Sequence, residues 1–237
     1  MIALRHVSKT FDGRRALDDV SLTVPSGATH VLLGSTGSGK STILKIILGL
    51  LRPDSGEVSV EPAARIGYVV QDGALYPHLT AARNATLPAR AAGWSEAKQT
   101  TRLAALAQLV GLDAPLLELY PHQLSSGQRQ RAGLLRALML DPPVLLLDEP
   151  LGSLDPIARA ELQSHLVAII AELQKTVIVV THDVREAFVF GATITLLSAG
   201  RIVQQGTFAD LARRPADPFV AEFLRAQAPP PAMTQYL

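Results

Sequence analysis

The sequence predicts an α/β fold: a mostly parallel sheet flanked by helices, with an antiparallel β part at the N-terminus and a helical subdomain inserted into the core. Three features carry that expectation. Short apolar runs alternate with stretches of helical period along most of the 237 residues. A glycine-rich loop at 34–41 lies between an apolar strand and an apolar helix. A wholly apolar run at 144–147 ends in two adjacent carboxylates, which reads as a strand covered on both faces and carrying acids at the ligand edge of the sheet.

Along the chain, residues 2–7 and 20–24 read as strands on either side of the Asp12-Gly13 turn. Residues 29–33 form the next strand, then come the loop and a helix over 40–51 that Pro53, Asp54 and Gly56 break. Short strands are expected at 57–60 and 65–70. From about 80 to 140 the chain becomes Ala- and Leu-rich with helical period, interrupted at Gly93, Gly111 and Pro121; this is the inserted subdomain. A strand at 144–147, a helix at 156–173, a strand at 176–180 and a helix from 184 follow. Asp155 is an N-cap with Pro156 at the first helical position. Asp183 with Glu186 three residues on resembles a capping box. A strand pair is expected at 193–197 and 201–204, helices at 208–213 and 218–225, and disorder over 228–237. The length suits one core, so residues 1–237 are read as a single domain.

Composition narrows the function. Hydrophobic residues at 48% and charged residues at 18% describe an ordinary globular chain. The net charge of +1 is scattered without a basic stripe, which argues against a nucleic-acid partner. The absence of cysteine excludes disulfides, thiol catalysis and cysteine-held metal, and fits a reducing cytosol. Residues 1–13 lack the apolar core of a secretory signal. Apolar runs such as 43–51, with Lys45 inside, fall short of the ~20 residues a bilayer requires. A role at a membrane therefore calls for docking on a spanning partner.

Gly34-Ser35-Thr36-Gly37-Ser38-Gly39-Lys40-Ser41 satisfies G-x-x-x-x-G-K-S/T in the right strand-loop-helix setting. Glycines let successive amides curl around phosphate oxygens, and the helix N-terminus adds partial positive charge. Lys40 is placed for the β- and γ-phosphates, with Thr42 following in the helix, and the Ser41 hydroxyl for Mg²⁺. A glycine-rich turn that binds nothing is the plain alternative, and the motif by itself says only nucleotide. Asp148 is suited to hold Mg²⁺, and Glu149 to orient and deprotonate an attacking water. The two acids could instead merely end a strand before Pro150.

Leu124-Ser125-Ser126-Gly127-Gln128, within PHQLSSGQRQRAGLLRAL, resembles the LSGGQ signature of ABC (ATP-binding cassette) ATPases, with Ser126 where the family usually has glycine. The resemblance runs from residue 2 to about 224. It implies an ABC ATPase fold, ATP and Mg²⁺ as ligands, and a head-to-tail pair of copies enclosing two ATPs. Ser125, Ser126, Gly127 and Gln128 would then face the ATP held by the other copy. The resemblance further implies that Gln71, in GYVVQDGALYPHLT, touches the metal or water and links the site to a permease. Asp155 in GSLD would lie at the dimer interface, His182 would contact the γ-phosphate, and Phe11 would stack on adenine. Phe11 could alternatively pack into the core. Tyr76, Pro77, His78 and Leu79 could line the groove for a permease helix, or be an ordinary exposed loop.

Within the family, the segments YVVQDGALYPHLT, AGW at Gly93-Trp94 and SAGRIVQQGTFADLARRPADPFVAEFL resemble importer ATPases for osmoprotectants such as glycine betaine, choline or proline. That implies integral-membrane permease subunits, an extracytoplasmic solute-binding protein acting indirectly, and a place on the inner face of the cell membrane. Trp94 itself reads as a packing residue. Two other classes stay open: a soluble ABC ATPase outside transport, and a scaffold that binds ATP without hydrolysing it.

Overall fold

The computed structural model describes residues 1–60, 65–152, 154–191 and 193–227, so the tail at 228–237 lies outside it. Strands β1 (Ile2–Phe11) and β2 (Arg14–Val24) form an antiparallel hairpin that pairs Ile2 with Val24 and Phe11 with Arg14. Both are longer than the apolar runs 2–7 and 20–24 suggest. Residues 8–11 and 14–19 are mostly polar and lie on a bulged, partly exposed ribbon in which Leu17 alone is buried, so the backbone ladder continues without an apolar stripe to mark it. After β3 (Thr29–Gly34), helix α1 (Lys40–Ile47) and β4 (Ser55–Val60), the last strand adds to β1 to complete a three-stranded sheet.

Helix α1 stops well before Pro53. Gly49 takes φ 71°, its N–H bonds Ile46 O, and the N–H of Leu50 reaches back 2.9 Å to Lys45 O. This left-handed glycine closure ends the helix, where the sequence had suggested the later proline and glycine.

The main sheet contains β5 (Ile66–Val69), β6 (Val144–Asp148), β7 (Thr176–Thr181), β8 (Thr193–Ser198) and β9 (Arg201–Gly206), in the order β5-β6-β7-β3-β8-β9. All neighbours are parallel except β8 and β9, the expected strand pair, which is antiparallel. The period of two divides the apolar strands between two cores. Leu145, Leu147, Val177 and Val179 face one; Val144, Leu146, Ile178 and Val180 face the other with α1 and the N-terminal sheet.

Between β5 and β6 lie α2 (Ala81–Ala91), α3 (Glu96–Val110), α4 (Ala114–Leu117) and α5 (Ser126–Leu138), the helical insertion, with Gly93, Gly111 and Pro121 between helices as read. Trp94 packs against the larger core and carries the Lys98 ammonium 3.9 Å from its ring centroid. Helices α6 (Pro156–Leu173), α7 (Val184–Val189), α8 (Phe208–Arg213) and α9 (Pro218–Ala226) complete the fold. Among the described residues no helix is long and apolar enough to cross a membrane.

Candidate active site

The sheet order places three connections side by side at the carboxyl ends of adjacent strands: the loop after β3, the acid pair ending β6, and the turn after β7. Open α/β sheets hold ligands at such an edge.

Gly39 stands at the N-cap of helix α1 with a left-handed φ of 107°, and no side chain caps the first turn. A Cβ on Gly39 would stand 2.7 Å from Leu17 Cδ2 and 2.8 Å from Ala16 O, so this position demands glycine. A Cβ on Gly37 would meet nothing within 4 Å, so that side of the backbone is open. The loop thus offers uncapped helix amides to an anion. Lys40 is buried, and its ammonium donates to the carbonyls of Gly34 at 2.7 Å and Ser35 at 2.8 Å. Burial pushes the Lys40 amine below its ordinary range, against the opposing pull of Glu149 and Asp148.

Phe11, Thr36, Gly37, Gly39, Lys40, Ser41, Thr42 and Glu149 line one cleft of about 750 Å³. Phe11 is exposed at the end of β1 rather than packed in the core, with the Lys9 ammonium 5.6 Å from its ring centroid. Lys9 is itself anchored 2.6 Å from Asp54 Oδ1. Asp12, Arg14, Arg15, Ala16 and Ala199 also line the cleft. Sequence reasoning did not select them, because no motif marks them; the pairing of Arg14 with Phe11 across the Asp12-Gly13 turn is the one signal that could have.

Asp148 accepts a hydrogen bond from the Tyr68 hydroxyl at 3.0 Å. Burial pushes its carboxyl up; the Tyr68 bond opposes this and the neighbouring Glu149 charge adds to it. Glu149 holds a positive φ of 46°, fixed by its N–H donating 2.9 Å to Val180 O, which turns the residue out of the strand direction. Its Oε1 lies 3.3 Å from His182 Nδ1. The His182 turn is braced from below: the Thr181 hydroxyl donates to buried Glu186 at 2.6 Å and accepts from the Asp183 N–H at 3.0 Å. Asp183 does cap α7, accepting from the Arg185 N–H at 2.7 Å. The reciprocal half of the expected capping box is absent, because the Glu186 carboxyl bonds Thr181 instead.

The remaining predicted residues stand outside this cleft. Ser125 caps α5 in a true capping box: its Oγ accepts from Gln128 N–H at 3.2 Å and its own N–H donates to Gln128 Oε1 at 2.9 Å. Ser126 and Gly127 are the first residues of that helix. Asp155 caps α6, accepting from the N–H groups of Ile157 and Ala158. Gln71 opens a short 3-10 turn, Gln71–Ala74. One chain therefore brings the phosphate loop and Glu149 into a single cleft, with His182 3.3 Å from the Glu149 carboxylate, whereas Gln71, Ser125–Gln128 and Asp155 do not line it.

The ABC transporter family profile matches residues 17–152. The glycine betaine uptake system ATP-binding protein YehX of Escherichia coli is 42% identical over 234 residues, covering 94% of this chain and 76% of that protein. The choline transport ATP-binding protein OpuBA of Bacillus subtilis is 40% identical over 236 residues, and the match spans 62% of that longer protein. Among solved structures, the dimeric post-hydrolysis state of the ATP-binding cassette MJ0796 bound to ADP and Pi superposes with a TM-score of 0.79 at 31% identity, covering 87% of this chain and 98% of that one. With the signature helix, the phosphate loop and the acid pair in these positions, the chain belongs to the ABC transporter family of ATP-binding cassettes.

Proposed function

We propose that two copies of this chain bind and hydrolyse ATP between them, docked from the cytoplasm on integral-membrane permease subunits, to drive import of an osmoprotectant such as glycine betaine, choline or proline. The observation that carries the ATPase reading is the cleft itself, where Lys40, Ser41 and the uncapped start of α1 face Glu149, and Glu149 meets His182 at 3.3 Å. The relatives named for glycine betaine and choline uptake support the solute class, and a dimeric cassette with ADP and Pi supports the paired hydrolysing state.

In this mechanism the loop amides from Gly34 to Ser41 and the Lys40 ammonium hold the β- and γ-phosphates, Thr42 sits one position deeper in α1, and Phe11 takes the adenine face. Glu149 accepts the proton of the attacking water, and His182 fixes the carboxylate and reaches the γ-phosphate. The oxygen donors Ser41, Asp148 and Gln71 suit a hard cation. Among the described residues no cluster of three or more acids or histidines could hold a metal alone, which fits Mg²⁺ carried in on phosphate oxygens. Bound there, Mg²⁺ would offset charge on those oxygens.

The capped start of α5 serves the partner's ATP. Ser125 is exposed, and a Cβ on Gly127 would meet nothing nearer than Leu154 Cδ2 at 3.9 Å, so packing within the chain does not require that glycine. Asp155, which follows Leu154, would stand at the copy-to-copy contact, and a solute-binding protein outside the membrane would supply the permease.

Isolation of the tagged chain from its own membranes tests the transport half. A polytopic membrane protein should accompany it, and vesicles containing both should take up glycine betaine, choline or proline only with internal ATP. A chain recovered wholly without a membrane partner would overturn that half while leaving the ATPase reading intact.

A further inference from the structure

The 3-10 turn that begins at Gln71 is fastened to the signature helix α5 at two levels. Gly73 lies against Gly133: a Cβ on Gly133 would stand 2.9 Å from Gly73 Cα, and one on Gly73 would stand 2.6 Å from Arg129 O. The two backbones touch there as only glycines allow. One helical turn further on, Arg136 donates Nη2–H to Gly73 O at 2.8 Å and Nη1–H to Ala74 O at 2.9 Å. Gly73 and Ala74 have φ of 72° and 39°, and Ala74 carries a Cβ in that disfavoured region. A planar guanidinium matches two successive carbonyls that a lysine could meet only one at a time.

The same helix presents Ser125–Gln128 at its other end. We propose that Arg136 is a positioning residue that locks the Gln71 turn to the signature helix, so that both nucleotide-facing segments move as one body. In the paired arrangement Gln71 serves the ATP of its own chain and Ser125 that of the partner, so the lock transmits occupancy of one ATP site to the other. This rests on the reading of Gln71 and Ser125 proposed above.

The test compares wild type, Arg136→Ala, Arg136→Lys, Gln71→Ala and the double variant Gln71→Ala/Arg136→Ala in Mg·ATP turnover, with nucleotide affinity measured separately by equilibrium binding. Arg136→Ala should lower kcat about tenfold and bring the Hill coefficient for ATP towards one, with the affinity for the first ATP bound unchanged. Lysine should restore part of the loss. The double variant should turn over no more slowly than Gln71→Ala. A purely structural role predicts lower stability but wild-type kcat and Hill coefficient in the folded protein, which would overturn the lock. So would losses that add in full. Wild-type turnover in Gln71→Ala would overturn the reading of Gln71 itself and the lock with it, whereas an impaired Gln71→Ala beside a normal Arg136→Ala removes the lock alone.

Discussion

His30 shows how a single side chain in the strand that leads to the phosphate loop sets a condition on the whole fold. It lies in β3, 2% exposed, with Nε2 2.7 Å from the Thr195 hydroxyl of β8. Burial pushes its pKa down to about 4. The folded ring therefore stays neutral where an unfolded histidine, near 6.5, takes a proton. With the folded value depressed, this group costs nothing above about pH 6.5, and stability falls as pH drops from there to about 4. The loss amounts to about 3 kcal/mol. The variant His30→Val/Thr195→Val removes both polar partners together. Urea unfolding at pH 7 and pH 4.5 should show a smaller acid loss in the variant by about 2 kcal/mol. An unchanged acid slope would contradict this. The motif residues were legible because chemistry fixes their spacing: Gly34 to Ser41, and Asp148 with Glu149, lie in short runs. Residues that meet across the fold were not, since Tyr68 and Asp148 are distant in sequence and no local pattern links them.

At the scale of elements, the phosphate loop combines two kinds of glycine. Gly39 combines a φ of 107° with crowding by Leu17 and Ala16, whereas Gly37, at φ 80°, has open space around it. Gly39→Ala should cost about 2–3 kcal/mol, from strain and displaced backbone together, and Gly37→Ala about 1 kcal/mol, from strain alone. Thermal unfolding of both variants checks the order; equal losses would show that the Leu17 contact yields at no cost. The elements themselves were read from the sequence with their boundaries as the weak point. The β6 and β7 runs were plain because burial on both faces makes them continuously apolar. The β1–β2 hairpin was underestimated because its distal half carries polar side chains. Helix α1 was overestimated because its apolar run continues past Gly49, and only the backbone of Gly49 reveals the stop. The bond from Glu186 to Thr181 likewise depends on how β7 and α7 meet, which the spacing of Asp183 and Glu186 cannot specify.

At the scale of the whole molecule, the sheet order determines what one copy can do. It sets the ends of β3, β6 and β7 side by side, where the phosphate loop and Glu149 line one cleft, and the start of α5 does not line that cleft. On the proposed reading a single chain is half of a catalytic unit, with a phosphate-holding face and a capped helix end that would meet another chain's nucleotide. Hydrolysis of ATP at a shared site with Glu149 as base is tested most directly by phosphate release with saturating Mg·ATP across protein concentration, beside Glu149→Gln. The account predicts turnover rising faster than linearly with protein and falling by about 10²–10⁴-fold in the variant, which should persist as an ATP-bound dimer on gel filtration. Turnover strictly proportional to protein from the lowest concentrations, with Glu149→Gln active and monomeric, would contradict it.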